Sequence, residues 1–242
     1  MFKRQTLKKW GFAIVGLIAF IGFLELGNWQ LERRTWKLDL IQRVEERVHT
    51  QTEAAPSRES WANITKAHDE YRKVFLTGSY VPNQDALVVA ATEHGSGYWV
   101  LTPFKTQENS VVYINRGFIT QGVKASSPPA GQQQVIGLLR LSEPKGSVLR
   151  DNDPIANRWY SRDTQALAAK HNIVAAPFFI DIEKSALDNS RPLGENQQHP
   201  IGGLTIINFH NSHLVYAITW YGLAAMVVVA GLIVIREERG KS

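Results

Sequence analysis

Cysteine is absent from the 242 residues. That excludes a disulfide scaffold, a thiolate-held metal or iron–sulfur cluster, and any redox Cys-x-x-Cys pair. Methionine is confined to Met1 and Met226, too few thioethers for a copper carrier. Charge of one sign is also scarce where a nucleic acid would need it. The formal net charge is +5, yet residues 27–213 hold 20 Lys and Arg against 19 Asp and Glu, a net of only +1. The surplus lies in Lys3, Arg4, Lys8 and Lys9 and in Arg236, Arg239 and Lys241, beside the two most apolar stretches. Such placement reads as membrane topology and argues against a nucleic-acid partner. No internal repeat or low-complexity tract is present.

What the chain does contain is two apolar runs. Leu214 to Ile235 is 22 residues without a formally charged side chain. As a helix it measures about 33 Å, enough to cross a hydrocarbon core of roughly 30 Å. Tyr216, Trp220 and Tyr221 place interfacial rings in its first half, and Arg236-Glu237-Glu238-Arg239 stops it. The first run, Trp10 to Leu24, has 15 uncharged residues before Glu25. That length suits the h-region of a signal peptide, but Phe23-Leu24-Glu25-Leu26 is too bulky for a small-x-small cleavage site. With Glu25 snorkelling toward the headgroups, Trp10 to Trp29 makes about 30 Å of helix with a tryptophan at each rim, an uncleaved anchor.

Arg236, Arg239 and Lys241 follow the second run closely, while no Lys or Arg lies between Arg191 and its start. Excess positive charge stays inside, so both termini are expected in the cytoplasm. The expected order is a cytoplasmic segment 1–9, a first transmembrane helix 10–29, an extracytoplasmic domain 30–213, a second transmembrane helix 214–235 and a cytoplasmic tail 236–242. The nine residues ahead of the first span hold no Arg/Ser-rich presequence, so the expected location is a bacterial inner membrane, with the main domain periplasmic.

Between the spans the periodicity changes. Leu31, Leu38, Ile41, Val44 and Val48 form one helical stripe, which continues the first span as a stalk. A short helical piece is expected around Trp61 to Glu70. Strands are expected over Tyr71–Val81, Ala86–Thr92, Tyr98–Phe104, Val111–Ile114 with Phe118-Ile119, Val135–Leu141, Phe178–Ile182 and Gly203–Asn208. Asn115-Arg116-Gly117 is expected to interrupt the fourth of these, and Asp163–Lys170 to be helical. The fold class is therefore α+β: two transmembrane helices flanking a mostly antiparallel sheet or small barrel.

Several clusters carry candidate chemistry. His94-Gly95-Ser96-Gly97 lacks the Lys-Ser/Thr of a phosphate loop and the first glycine of a Gly-x-Ser-x-Gly elbow, and reads as a hairpin turn. Asp151-Asn152-Asp153-Pro154 lacks the glycine and distal glutamate of a calcium loop, and reads as turn chemistry. His210 and His213 stand three apart, with His199 eleven residues before His210. His213, Tyr216, Ala217 and Trp220 fall on one helical face at the head of the second span. Three readings of His213 remain open on spacing alone: an interfacial residue that caps the span, one member of a three-histidine metal site, and an axial ligand to a haem iron. No nucleophile–base pair of a hydrolase is readable.

Five motifs resemble the surfeit locus protein 1 family, membrane proteins that assist assembly of haem-copper cytochrome c oxidase. They are Leu26-Gly27-x-Trp29-Gln30-x-x-Arg33 with Lys37; Gly97-Tyr98 with Leu101-Thr102-Pro103; Asn115-Arg116-Gly117-Phe118; Pro200-x-Gly202-Gly203; and Asn211-x-His213-Leu214-x-Tyr216-Ala217-x-Thr219-Trp220. The match runs essentially end to end. Phe118 stands where the family often has Trp, and His210 is outside the motif. The resemblance implies a non-enzymatic assembly factor that binds haem a as transient cargo and delivers it to oxidase subunit I, with haem a synthase and membrane lipid as further partners. It also implies His213 as the iron ligand; helix geometry alone puts Tyr216 and Trp220 where they would wall or gate the ring, and Arg116 is read as either a propionate partner or a structural turn residue. The alternative is a scaffold that binds early oxidase subunits without haem.

Overall fold

Apolar residues at helical spacing, free of proline from Met1 to Ala55, allow one uninterrupted helix at the start of the chain. In a computed structural model describing residues 2–146, 150–184, 199–205, 207 and 209–240, that helix, α1, spans Phe2–His49. Two compact units follow from the packing, Met1–Arg43 with Asn208–Ser242, and Val44–Ile207. The first contains most of α1 and the last helix, His213–Arg239. Among the described residues, two helices are long and apolar enough to cross a membrane, over Trp10–His49 and His213–Glu237. Both leave large apolar side chains exposed, Phe12, Ile18, Val215 and Leu232 among them. Exposure of that kind is costly in water and costless against lipid tails, which fits a two-pass membrane protein.

The second unit is built on seven strands: β1 (Glu53–Ala54), β2 (Lys73–Tyr80), β3 (Ala86–Thr92), β4 (Gly95–Thr106), β5 (Val111–Thr120), β6 (Gln133–Leu141) and β7 (Ala175–Ile182). A 3₁₀ turn at Arg58–Asn63 and a short α2 at Lys66–Asp69 precede β2, and α3 covers Thr164–Lys170 before β7. Strand order is β1-β2-β6-β7-β5-β4-β3, and β2 pairs with β4 as well. That extra pairing closes β2, β6, β7, β5 and β4 into a ring, a small barrel. Closure needs a close approach at Gly78, which is opposite both Gln133 and Thr106. A Cβ there would lie 2.1 Å from the Lys105 carbonyl oxygen, so the corner tolerates only glycine. Pairing is antiparallel except for β1–β2 and β5–β7.

The sides of β5 and β7 alternate between two cores. Val112, Ile114, Phe178 and Ile180 join Val74, Leu76, Phe104, Val135 and Leu139 inside the barrel. Tyr113 and Phe179 point the other way, to a second cluster with Val88, Trp159 and Leu167 of α3. Asp163 caps α3, its carboxylate accepting from the amides of Gln165 and Ala166.

Two expected features differ. Asn115-Arg116-Gly117 does not end a strand: Trp99 pairs with Phe118 and Leu101 with Asn115, so two residues of β5 face one of β4. This is a β-bulge, with Gly117 at φ 120° supplying a conformation other residues avoid. The strand expected over Gly203–Asn208 is absent at its described residues, 203, 204, 205 and 207; Ile206 and Asn208 lie outside the described residues. Instead Ile201 makes one antiparallel bridge to Phe118. Since β7 occupies the edge of β5 as far as Asn115, only the far end of β5 is open to the returning chain. Along α1, Leu31 and Leu38 of the stripe stay exposed, and burial is complete at Val44, near Arg47, which donates to the carbonyls of Glu70 (2.9 Å) and Ala67.

Arg140 on β6 and Asp181 on β7 are the centre of a line of alternating charges that runs Glu70, Arg140, Asp181, Arg162 and Glu143. Asp181, only 4% exposed, accepts from Asn115 (2.7 Å), Thr205 (2.9 Å) and Arg140 (3.3 Å). Asp181→Ala leaves Arg140 and Arg162 with one carboxylate each, so its cost is expected at or just below the lower end of the roughly 3–5 kcal/mol typical of a broken buried pair. Denaturant unfolding of the full chain in detergent, followed by circular dichroism, measures it. Burial alone would push the Glu143 carboxyl up, but hydrogen bonds and charge from Arg162 outweigh it and hold the group below the usual carboxylate range. Its stabilising contribution is therefore complete above about pH 5 and fades as pH falls through the carboxylate range. Unfolding of Glu143→Gln at pH 3.5 to 8 is expected to show lower stability at neutral pH and a shallower acid-side loss.

Candidate functional site

The last helix, α4, starts at His213 because the residues before it can satisfy its open end. The Asn211 side-chain oxygen accepts from the His213 amide (3.4 Å), and the Ser212 carbonyl accepts from Val215 (3.0 Å) and Tyr216 (3.3 Å). From there, steps of three and four bring His213, Ala217, Trp220 and Ala224 to one side. Ala217 and Ala224 are buried.

Within this unit α4 runs antiparallel to α1. Near the far end, a Cβ on Gly16 would touch Val227 Cγ1 at 4.0 Å. Next, Phe23 stacks on Trp220 with centroids 5.8 Å apart and planes at 26°. Then the Tyr221 ring occupies the space a side chain at Gly27 would need, its atoms 2.5 to 2.9 Å from an added Cβ. The Tyr221 hydroxyl donates to Asn28 Oδ1 at 2.8 Å. One turn on, Gln30 Oε1 lies 2.7 Å from His213 Nδ1. Gln30 is 9% exposed, a buried amide whose oxygen requires a partner.

Beyond this contact the cations of the same motif are held on aromatic faces. Arg33 lies 4.4 Å from the centroid of Trp36, and Lys37 5.2 Å from that of Phe209.

Of the residues singled out by sequence, His213 and Trp220 both meet α1 directly, and Ala217 shares their face. Tyr216 does not join them; it is 54% exposed. Arg116 belongs to the other unit, on the β5 bulge, where it pairs with Asp85 (3.5 Å) and donates to the Ser126 carbonyl (2.8 Å). Burial holds its guanidinium below the ordinary value against the opposing charge of Asp85. His199 and His210 are exposed, and among the described residues no group of three His, Asp or Glu could hold a metal ion. The three-histidine reading therefore has no geometry behind it. His94 sits in the two-residue loop joining β3 to β4, where Thr92 pairs with Gly95, a hairpin as expected. Asp153 accepts from the Ala156 amide and pairs with Arg158, and Asn152 Oδ1 accepts from Tyr160 and Ser161, which makes that cluster a structural turn.

Gln30 is the residue that sequence reasoning quoted and gave no role. The signal was its place three residues after Gly27, on the face that glycine opens.

The arrangement offers an imidazole at the head of an apolar helix, one ring nitrogen engaged by an amide oxygen. Among the described residues nothing hydrogen-bonds the other nitrogen, Nε2. An amide cannot accept a proton at ordinary pH, so the pair is suited to coordination or to anchoring, and poorly to acid–base relay.

A family model described as "SURF1 family" matches residues 17–225. The chain is 31% identical over 245 residues to Surfeit locus protein 1 of Homo sapiens, covering 91% of this chain and 75% of that protein. It is 30% identical over 227 residues to a SURF1-like protein of Rickettsia felis, covering 89% and 93%. A SURF1-like protein of Monosiga brevicollis is 30% identical over 253 residues, covering 96% and 89%.

The cysteine-free background makes the helix pairing directly testable. Cysteines introduced as Gly16→Cys with Val227→Cys are expected to cross-link on mild oxidation, because the side chains meet there. Gly22→Cys with Val227→Cys is expected not to, since nothing lies within 4 Å of a Cβ at Gly22. Electrophoretic mobility with and without reductant separates the two.

Proposed function

The chain belongs to the SURF1 family, and on that footing we propose that it is an assembly factor for a haem-a-type cytochrome c oxidase. In this reading it receives haem a from the synthase in the membrane, holds it through His213, and presents it to subunit I. No bond of the cargo is made or broken. Family membership supports the role in oxidase assembly.

The observation that carries the haem-binding part is the His213–Gln30 hydrogen bond at the head of α4. An imidazole whose Nδ1 is held by an acceptor presents Nε2 as the free donor to iron. A haem with an isoprenoid tail is poorly soluble in water, and a ligand at the lip of a membrane helix lets the tail lie in lipid while the propionates meet the polar interface. Trp220, already stacked on Phe23, is suited to flank the ring from the α1 side, and exposed Tyr216 from the other. The ties of Arg116 to Asp85 and Ser126 favour its structural reading over a propionate contact. The charge pattern of the tail supports a two-pass arrangement in a bacterial inner membrane, with both termini cytoplasmic and the barrel periplasmic.

Protein purified from a host that makes haem a is expected to show a Soret band, and His213→Ala to lose most of it. An unchanged spectrum removes His213 from the ligand role. Co-purification of subunit I without any pigment would instead support a haem-free scaffold.

A further inference from the structure

We infer that Gln30 is a positioning residue that sets the tautomer of His213, and that this inference rests on the reading of His213 as the iron ligand. A neutral imidazole carries one proton, and the nitrogen that lacks it is the one able to bind a metal. Gln30 Oε1 is an acceptor only, and at 2.7 Å from Nδ1 it requires the proton on Nδ1. The lone pair is then on Nε2. Without such a partner the ring would divide its population between two forms, and one of them cannot coordinate through Nε2.

The amide is placed by helix register rather than by its own side chain alone. Gly27, one turn earlier, leaves room for Tyr221, and Tyr221 is pinned to Asn28 by its hydroxyl. Phe23 on Trp220 holds the preceding turn. These contacts fix the rotation of α1 against α4 on the side where Gln30 emerges. At 9% exposure the Gln30 oxygen has little water to compete for it, so releasing His213 would leave a buried acceptor unpaired.

The choice of an amide has a chemical consequence. A carboxylate behind a metal-bound imidazole draws its proton strongly and makes the ligand more basic; an amide oxygen does so less. Gln30 thus orients His213 while leaving the bond to iron weaker than a carboxylate-backed one, a combination suited to cargo that must be handed on.

The test uses the full chain in lipid nanodiscs with ¹⁵N-labelled histidine, the His213 signals being assigned by their loss in His213→Ala. In haem-free protein the ¹⁵N shifts are expected to show a single Nδ1–H tautomer, and Gln30→Leu to convert it to a mixture. Titrated with purified haem a, Gln30→Leu is expected to bind about 10–100-fold more weakly. Gln30→Glu is expected to restore affinity to at least the starting level and to shift the haem reduction potential downward. Helix pairing in each variant is verified by the Gly16→Cys, Val227→Cys cross-link. An Nε2–H tautomer, or a Gln30→Leu variant with unchanged tautomer and unchanged affinity, overturns the inference. If His213→Ala still binds haem a, it is the ligand reading that fails, and the haem-free tautomer measurement shows separately whether Gln30 orders the ring.

Discussion

The site depends on how closely two helices approach at Gly27. With no side chain there, the Tyr221 ring occupies the surface of α1 directly, and neighbouring contacts fall into line along the pair: Phe23 on Trp220, Tyr221 to Asn28, Gln30 to His213. Apolar association between helices gains little in lipid, where tails are as apolar as leucine, so small residues that permit close packing and a few buried polar contacts hold such pairs together. Both devices are present here within four residues of one another. A larger residue at Gly27 would separate the helices at the turn where the imidazole is held.

The barrel unit solves a different problem. A sheet of seven short strands has edges to protect, and the pairing of β2 with both β6 and β4 removes most of them by closing a ring. Two neighbouring strands of the ring, β6 and β7, are also joined by charges. Glu70, Arg140, Asp181, Arg162 and Glu143 alternate in sign, and Arg140 and Arg162 also cover the faces of Tyr71 and Phe179. Such a chain adds little net stability over an apolar core, yet each member removed takes a counter-charge away from its neighbours. Thr205 donates to Asp181, so the stretch returning from the barrel is fastened to the same network.

Much of this was legible in residue order. Ala86–Thr92 is a strand with the expected bounds, and Asp163 caps the expected helix, because alternation and capping are local properties. The β5 bulge was visible only as a break: Asn115-Arg116-Gly117 has turn-like composition, and nothing local says that the strand resumes in the same ladder. The two-residue strand β1 and the β2–β4 closure were not visible at all. Each depends on a partner more than twenty residues away in the chain, and sequence periodicity carries no information about partners.

Residue order by itself determined the two membrane-length helices, the β-rich unit between them, and His213 at the head of the second helix. These follow from run length and side-chain period, both readable within a window of a few turns. Only the tertiary structure decided which side of α4 meets α1, leaving Tyr216 exposed and bringing Gln30 to the imidazole across 183 positions of chain. Helix rotation is set by packing, and here it is set by a side chain that is missing at Gly27.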